Sequence, residues 1–420
     1  MGKTSTDRVK QRRVFYIPGY DPIHPRRYRE LYRSESAAQA AISGYEIGLT
    51  AKPAGENYGW SVDAVIDAAP VHCDVEVLVW SDIVRDSMST SIPATYLQLL
   101  RTAWVYIGSG ALWRLMKLRK GPVIAALYPV GMLLLQLVLA VVLGWTIGQL
   151  AGCITALVVG VVTGPEDAAL GGTAVAASVG LISCVALLRW FKKLDGKFYA
   201  YYLMHDYAYS ASSKGANPPE LEKRIAMFTD TIATALQSDA DEVLVVGHSS
   251  GAHLGVSILA DLIRQGRVPA TGPSLSFLSL GQVVPMVSFL SDAHRLRADL
   301  RYLSARDEVT WVDVTAPGDG CSFALCDPVS VSGVAPTDKK WPLVFSAAFT
   351  QTLSRARWKE LRWRFFRLHF QYLCAFDRPK DYDYFQITAG PMTLADRYAD
   401  RPPSKSRIDR AVSKYTSIAA

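Results

Sequence analysis

Val243-Leu244-Val245-Val246-Gly247-His248-Ser249-Ser250-Gly251 is the stretch on which the reading of this chain turns. Four branched apolar residues in a row predict a strand buried on both faces, as in a parallel sheet. A helical spacing of apolar residues follows from Ala252 through Leu259 and Leu262. Between strand and helix sits the pattern G-x-S-x-G, the sequence of a sharp turn that lifts a serine hydroxyl above a sheet. The two glycines are required sterically, because such a turn leaves no room for side chains two residues to either side of the serine.

Working outward, strand and helix signals alternate on both sides of this point. Val14 to Ile17 is a short apolar run closed by Pro18-Gly19, and a helical stretch follows from Pro25 to about Ile42. Tyr45 to Thr50, Trp60 to Ile66 and Val75 to Trp80 read as strands. After the pentapeptide, Leu275 to Leu280 and Val309 to Val314 are further strands separated by helical stretches. Strands alternating with helices predict an α/β fold with a mostly parallel sheet.

The sheet-forming halves are separated by a region of another kind. Pro122 to Thr163 contains no charged residue, and neither does Leu170 to Leu188. Stretches this long without charge predict membrane crossings. Arg114, Lys117, Arg119 and Lys120 precede them, Arg189, Lys192, Lys193 and Lys197 follow, and Glu166-Asp167 lies in the connecting turn. Basic outer flanks around an acidic turn predict a hairpin with both ends in the cytoplasm. A single helix over the first run would be about 60 Å long, twice the hydrocarbon thickness, so Gly144, Gly148 and Gly152 are the expected break points. Strands before and after the insertion must pair in one sheet, so the number of crossings should be even: two, or four if Leu97 to Leu118 also crosses. The expected organisation is residues 1–118, a membrane insertion over 119–193, residues 194–400 completing the first part, and a basic, mobile tail over 401–420.

Composition agrees with the presence of membrane segments. Half of the 420 residues are hydrophobic and the formal net charge is +7, with a mean hydropathy of +0.13. Beside a membrane segment, a basic surface points to anionic lipid head groups rather than nucleic acid, and no aromatic-interleaved basic motif of an RNA-binding domain is present. The six cysteines are scattered, without zinc-type pairing, which points to reduced thiols and no metal. Met1 to Arg13 is polar and basic without an apolar core, unlike a signal peptide.

A serine hydroxyl becomes a nucleophile when a base takes its proton, and the base needs an orienting carboxylate. In folds built around this pentapeptide the chain order is serine, acid, histidine. Of the seven histidines, His24, His72 and His205 precede the serine, while His248 and His253 lie too close to it. His294 precedes any acid-bearing strand end, which leaves His369. The alternation of Leu361, Trp363 and Phe365 with Arg362 and Arg364 predicts a strand delivering that histidine, with a helix over Arg355 to Leu373, basic face on lipid, as the other reading. Three aspartates compete for the acid: Asp313 in a strand, Asp319 in the loop after it, and Asp327 beyond. Asp319 is preferred because flanking glycines let it turn toward the histidine; the other two can simply cap turns. Two backbone N–H donors are needed for an oxyanion. Ser250, after the serine, and Tyr20, in the stiff loop Tyr16 to Pro22, are the expected sources.

The pentapeptide at Ser249, the Pro18-Gly19-Tyr20 loop and the order Ser249, Asp319, His369 resemble the α/β-hydrolase superfamily in a lipase- or esterase-like, membrane-inserted form. The resemblance implies a serine hydrolase with no cofactor, tethered at the cytoplasmic face of a membrane by two crossings and acting on lipidic esters. Acyl transfer or thioester cleavage by the same three residues, and a non-catalytic membrane adaptor with this fold, are the alternatives.

Overall fold

In the computed structural model, which describes residues 8–52, 58–88, 91–162 and 164–419, the run before the pentapeptide is β5, Glu242–His248, buried at every position. It lies near the middle of a mixed eight-stranded sheet. In chain order the other strands are β1 (Gln11–Ile17), β2 (Glu46–Ala51), β3 (Gly59–Ile66), β4 (Ala69–Val77), β6 (Ser274–Leu280), β7 (Thr310–Thr315) and β8 (Leu343–Ser346). Their spatial order is β2-β3-β4-β1-β5-β6-β7-β8. From β4 to β8 all neighbours are parallel, whereas β2, β3 and β4 form an antiparallel edge. The fold is therefore α/β, with an antiparallel edge that the alternating pattern of strands and helices did not predict.

Two compact units make up the chain: Met1–Asp86, Trp104–Val123 and Ser210–Ala420 in one, Ser87–Ala103 and Ile124–Tyr209 in the other. The first carries the whole sheet. Strands from before and after the long insertion meet there, because β1 pairs with β4 on one side and with β5 on the other. Chain order thus reverses direction at β1 and β5. The carboxyl ends of two parallel strands at such a reversal diverge into a crevice, the usual place for a ligand in open α/β sheets.

A buried ion pair holds the two central strands together at their other end. Arg12 Nε on β1 lies 2.6 Å from Glu242 Oε2 on β5, both side chains fully buried. The remaining donors and acceptors are used: Arg12 donates to the carbonyls of Gly390 and Met392, while Glu242 Oε1 accepts from Ser276 Oγ and Leu394 N. Removing one partner of such a pair leaves an uncompensated buried charge, which costs about 3–5 kcal/mol.

The C-terminal stretch makes backbone hydrogen bonds to this unit at three places. Ser404 N donates to Val344 O at 2.9 Å, Ile408 N to Leu325 O at 2.7 Å, and Val412 N to Val331 O at 3.0 Å.

Two helices are long and apolar enough to cross a membrane, Lys120–Gly160, whose residues from Ile124 belong to the second unit, and Pro165–Lys193, wholly in it. The first is a continuous helix of 41 residues, so the expected break does not occur. Gly144, Gly148 and Gly152 serve a different purpose: Cβ atoms there would fall 2.8 Å from Gly180 O, 2.4 Å from Ala176 O and 2.6 Å from Gly172 O. Glycine every fourth residue makes a groove into which an antiparallel helix of small residues packs backbone to backbone. Leu97 to Leu118 is divided between helices Ile92–Gly108 and Ala111–Leu118, of 17 and 8 residues. Among the described residues, two helices pass the length and composition test for a crossing.

Candidate active site

Ser249 occupies the turn between β5 and the helix Gly251–Arg264, with φ of +57°. A non-glycine residue held in the left-handed region costs about 1–3 kcal/mol and persists only when its surroundings over-determine it. Those surroundings are close backbone. A Cβ on Gly247 would lie 2.7 Å from Gly251 O, and one on Gly251 would lie 2.1 Å from Ile17 O. Ser249 N is tied to Leu280 O at the end of β6 by a 2.9 Å hydrogen bond.

The loop after β1 is pressed onto the serine. A Cβ on Gly19 would sit 3.0 Å from Ser249 Cβ and 3.4 Å from its Oγ. Trp80 Nε1 donates to Pro18 O at 3.0 Å, and the Tyr20 ring stands edge-on to Trp80 with centroids 6.1 Å apart. Ser250 is the N-cap of the helix that follows, where backbone N–H groups begin without intrahelical acceptors. Tyr20 and Ser250, the expected N–H sources, therefore flank the serine on adjacent elements.

The acid and the histidine meet directly. Asp319, in the loop after β7, accepts from His369 Nδ1 at 2.8 Å through Oδ2. Its Oδ1 accepts from Cys321 N at 2.9 Å, and its Oδ2 also accepts from the Tyr372 hydroxyl at 3.0 Å. Burial pushes this carboxyl up, but the His369 ring and the hydrogen bonds outweigh it and hold Asp319 below the ordinary carboxylate range. The other two aspartates are engaged elsewhere. Asp327 caps a short helix through Val329 N and Ser330 N and pairs with Lys339 at 2.7 Å. Asp313 accepts from Ser279 Oγ inside the sheet, and burial pushes it up to about 8.

His369 ends the short helix Phe365–His369, preceded by the helix Arg355–Leu361. The expected strand is absent here because it would have no buried face: Trp363 and Phe365 are exposed along with Arg362 and Arg364. With Nδ1 engaged by Asp319, Nε2 is the ring nitrogen left to exchange a proton with a neighbour. That nitrogen is buried and has no hydrogen-bond partner among the described residues, Ser249 included. Loose or open nucleophile–base hydrogen bonds are common in enzymes without substrate. Proximity to the serine runs through Gly281, which follows Leu280: a Cβ there would lie 3.1 Å from His369 Cε1 and 2.7 Å from Tyr372 Cε2. Gly281 has φ of +53°, so glycine suits this position twice over. His248, beside the serine, donates through Nε2 to His369 O at 3.1 Å. Burial, then the neighbouring His369 ring, lowers its pKa to about 3, so it stays neutral.

Tyr372, Gly281 and His248 are participants that reading the chain in one dimension missed. Tyr372 follows His369 by three residues, a spacing that puts both on one side of a helix, and it was the strand reading that hid this. Asp319, Cys321 and His369 also present a carboxylate, a thiol and an imidazole with ligand atoms within 4.8 Å of one another. Such a set can bind a divalent metal, although nothing in the spacing of these residues along the chain announces it.

No protein-family model, curated protein or solved structure matches this chain.

Proposed function

We propose that this chain is a membrane-anchored serine hydrolase of the α/β-hydrolase type, cleaving carboxylic esters with apolar acyl groups through an acyl-enzyme on Ser249. The observation that carries the reading is the buried Asp319–His369 pair, in which His369 Nε2 has no hydrogen-bond partner among the described residues and the His369 ring packs against His248, the residue before Ser249 in its strained turn.

In this reading, His369 Nε2 takes the Ser249 hydroxyl proton as Oγ attacks the ester carbonyl carbon. Asp319 stays ionised, holds the imidazole in the required tautomer and stabilises its protonated form. Charge moves onto the former carbonyl oxygen, where the N–H groups of Ser250 and Tyr20 receive it. As the tetrahedral species collapses, the bond to the alcohol oxygen breaks and the imidazolium supplies that oxygen's proton. Water then repeats the sequence on the acyl-enzyme, releasing the acid and restoring the serine.

Two features support a lipidic substrate at a membrane. The helices Lys120–Gly160 and Pro165–Lys193 have the length and apolar composition of bilayer crossings. Pairing of β1 with both β4 and β5 fits an even number of crossings, and the two apolar helices supply that number. Their basic outer flanks favour a cytoplasmic position for the sheet-bearing unit in this reading.

Labelling with a fluorophosphonate, followed by peptide mapping, tests the reading. An adduct on Ser249 that is lost in Ser249→Ala, together with turnover of nitrophenyl esters, is expected. Folded protein that gives no adduct and no turnover would identify a non-catalytic membrane adaptor.

A further inference from the structure

Arg362-Trp363-Arg364-Phe365-Phe366-Arg367 is exposed at all six positions, and buried residues, Leu361 before it and Leu368 and His369 after it, pin its two ends. Trp363 is 71 % exposed and Phe365 48 %. An exposed tryptophan and two phenylalanines in five residues are costly to leave in water, and alternation with arginine is unsuited to a core. The Arg362 guanidinium stacks on the Trp363 ring at 5.4 Å, and the Trp363 and Phe365 rings meet edge to face at 6.5 Å. Arg364 and Arg367 share one acid, Glu360, which also pairs with Arg357, so the patch keeps a positive excess.

Its location narrows the partner. Phe365 lies over Gly320, where a Cβ would meet its ring at 3.3 Å, and a Cβ on Gly121 would meet Gly320 Cα at 3.3 Å. Gly121 belongs to the sheet-bearing unit and is the second residue of the long apolar helix. Arg119, immediately before that helix, donates to Ala324 O at 2.7 Å. The aromatic–arginine patch therefore stands where the chain leaves this unit to become an apolar helix. Aromatic rings settle at the head-group level of a bilayer, and arginines at that depth meet lipid phosphates.

We infer that Arg362–Arg367 is a bilayer-contact element, through which the sheet-bearing unit rests on an anionic lipid surface with its rings among the head groups. This rests on the reading of Lys120–Gly160 as a membrane crossing. Phe365 to Arg367 of this element and His369 lie in one helix, Phe365–His369.

The test uses full-length protein in nanodiscs, with the native cysteines replaced and an environment-sensitive fluorophore at Phe366→Cys or, separately, at Leu157→Cys. Lipids brominated along the acyl chain act as quenchers. In discs containing anionic phosphatidylglycerol, blue-shifted emission and at least about twofold quenching are expected at position 366. Combining R362Q, R364Q and R367Q, or using phosphatidylcholine alone, should weaken both. Quenching at 157 but not at 366 would overturn the inference and leave the membrane reading standing. No quenching at either position would remove both. Quenching at 366 that ignores lipid charge and the glutamine substitutions would overturn the anionic part.

Discussion

The Tyr372 hydroxyl donates to Asp319 Oδ2 at 3.0 Å while accepting from Ala316 N at 2.9 Å. It thereby clamps the acid's loop to the helix that follows His369, in a buried position where no water can substitute. Tyr372→Phe is expected to lower kcat about 3–10-fold with little change in KM, through looser alignment of the Asp319–His369 pair, and to cost about 1 kcal/mol of stability. Kinetics with a soluble ester and denaturation of the same preparation check both parts. An unchanged kcat would make Tyr372 a structural residue only.

The aspartates separate by substitution. Asp319→Asn should reduce kcat about 10³–10⁴-fold with folding retained, since the amide favours the wrong histidine tautomer. Asp327→Asn should mainly weaken the cap at Val329 and Ser330 and the pair with Lys339. A catalytic loss confined to Asp327→Asn in folded protein would move the acid.

Asp313 predicts a pH dependence of stability. Its folded pKa is raised to about 8 by burial, so across roughly pH 4 to 8 the folded chain holds a proton that the unfolded chain has released. Its contribution is therefore most favourable below the unfolded pKa and declines as pH rises toward the folded one. Asp313→Asn, which keeps an acceptor for Ser279 without the charge, should flatten that decline. Denaturant midpoints at pH 5 and pH 8 for both proteins would measure it, and parallel profiles would refute it.

Gly19 and Gly251 should respond differently to alanine. At Gly251 the added Cβ would meet the Ile17 carbonyl at 2.1 Å, a backbone clash, so Gly251→Ala is expected to misfold. At Gly19 the clash is with Ser249 Cβ at 3.0 Å. Gly19→Ala should therefore keep the fold, with a melting temperature within a few degrees, yet lower turnover by about tenfold or more through displacement of the serine. Full activity in Gly19→Ala would show that this loop does not constrain Ser249.

Topology has its own check. Single cysteines at Ser87, Gly164 and Ser210, in a chain lacking the native ones, should differ toward an impermeant maleimide on intact cells. Position 164, the exposed N-cap of Pro165–Lys193 where an added Cβ meets nothing within 4 Å, should label and the other two should not. Labelling at 87 or 210 but not at 164 would invert the orientation. Labelling at only one of 87 and 210 would contradict an even number of crossings.

Local chemistry was enough to read the turn at Ser249 from the chain, because strand, turn and helix lie within a few residues and glycine is demanded by sterics at its own position. The two long apolar helices were equally legible, since length and lack of charge are properties of a contiguous stretch. The partnership of Asp319 with His369 was legible only in part: flanking glycines favoured Asp319, but Asp313 and Asp327 stayed in competition, because the contact forms by loop closure across 50 residues. Tertiary packing also chose helix over strand before His369, because only the fold reveals that Trp363 and Phe365 have no interior to face. The same holds for Gly144, Gly148 and Gly152, which look like helix breakers in one dimension and become a helix-packing groove once Gly172, Ala176 and Gly180 lie opposite them. What depends on neighbours along the chain is written in it directly; what depends on distant partners appears only when the chain has paid the entropy of bringing them together.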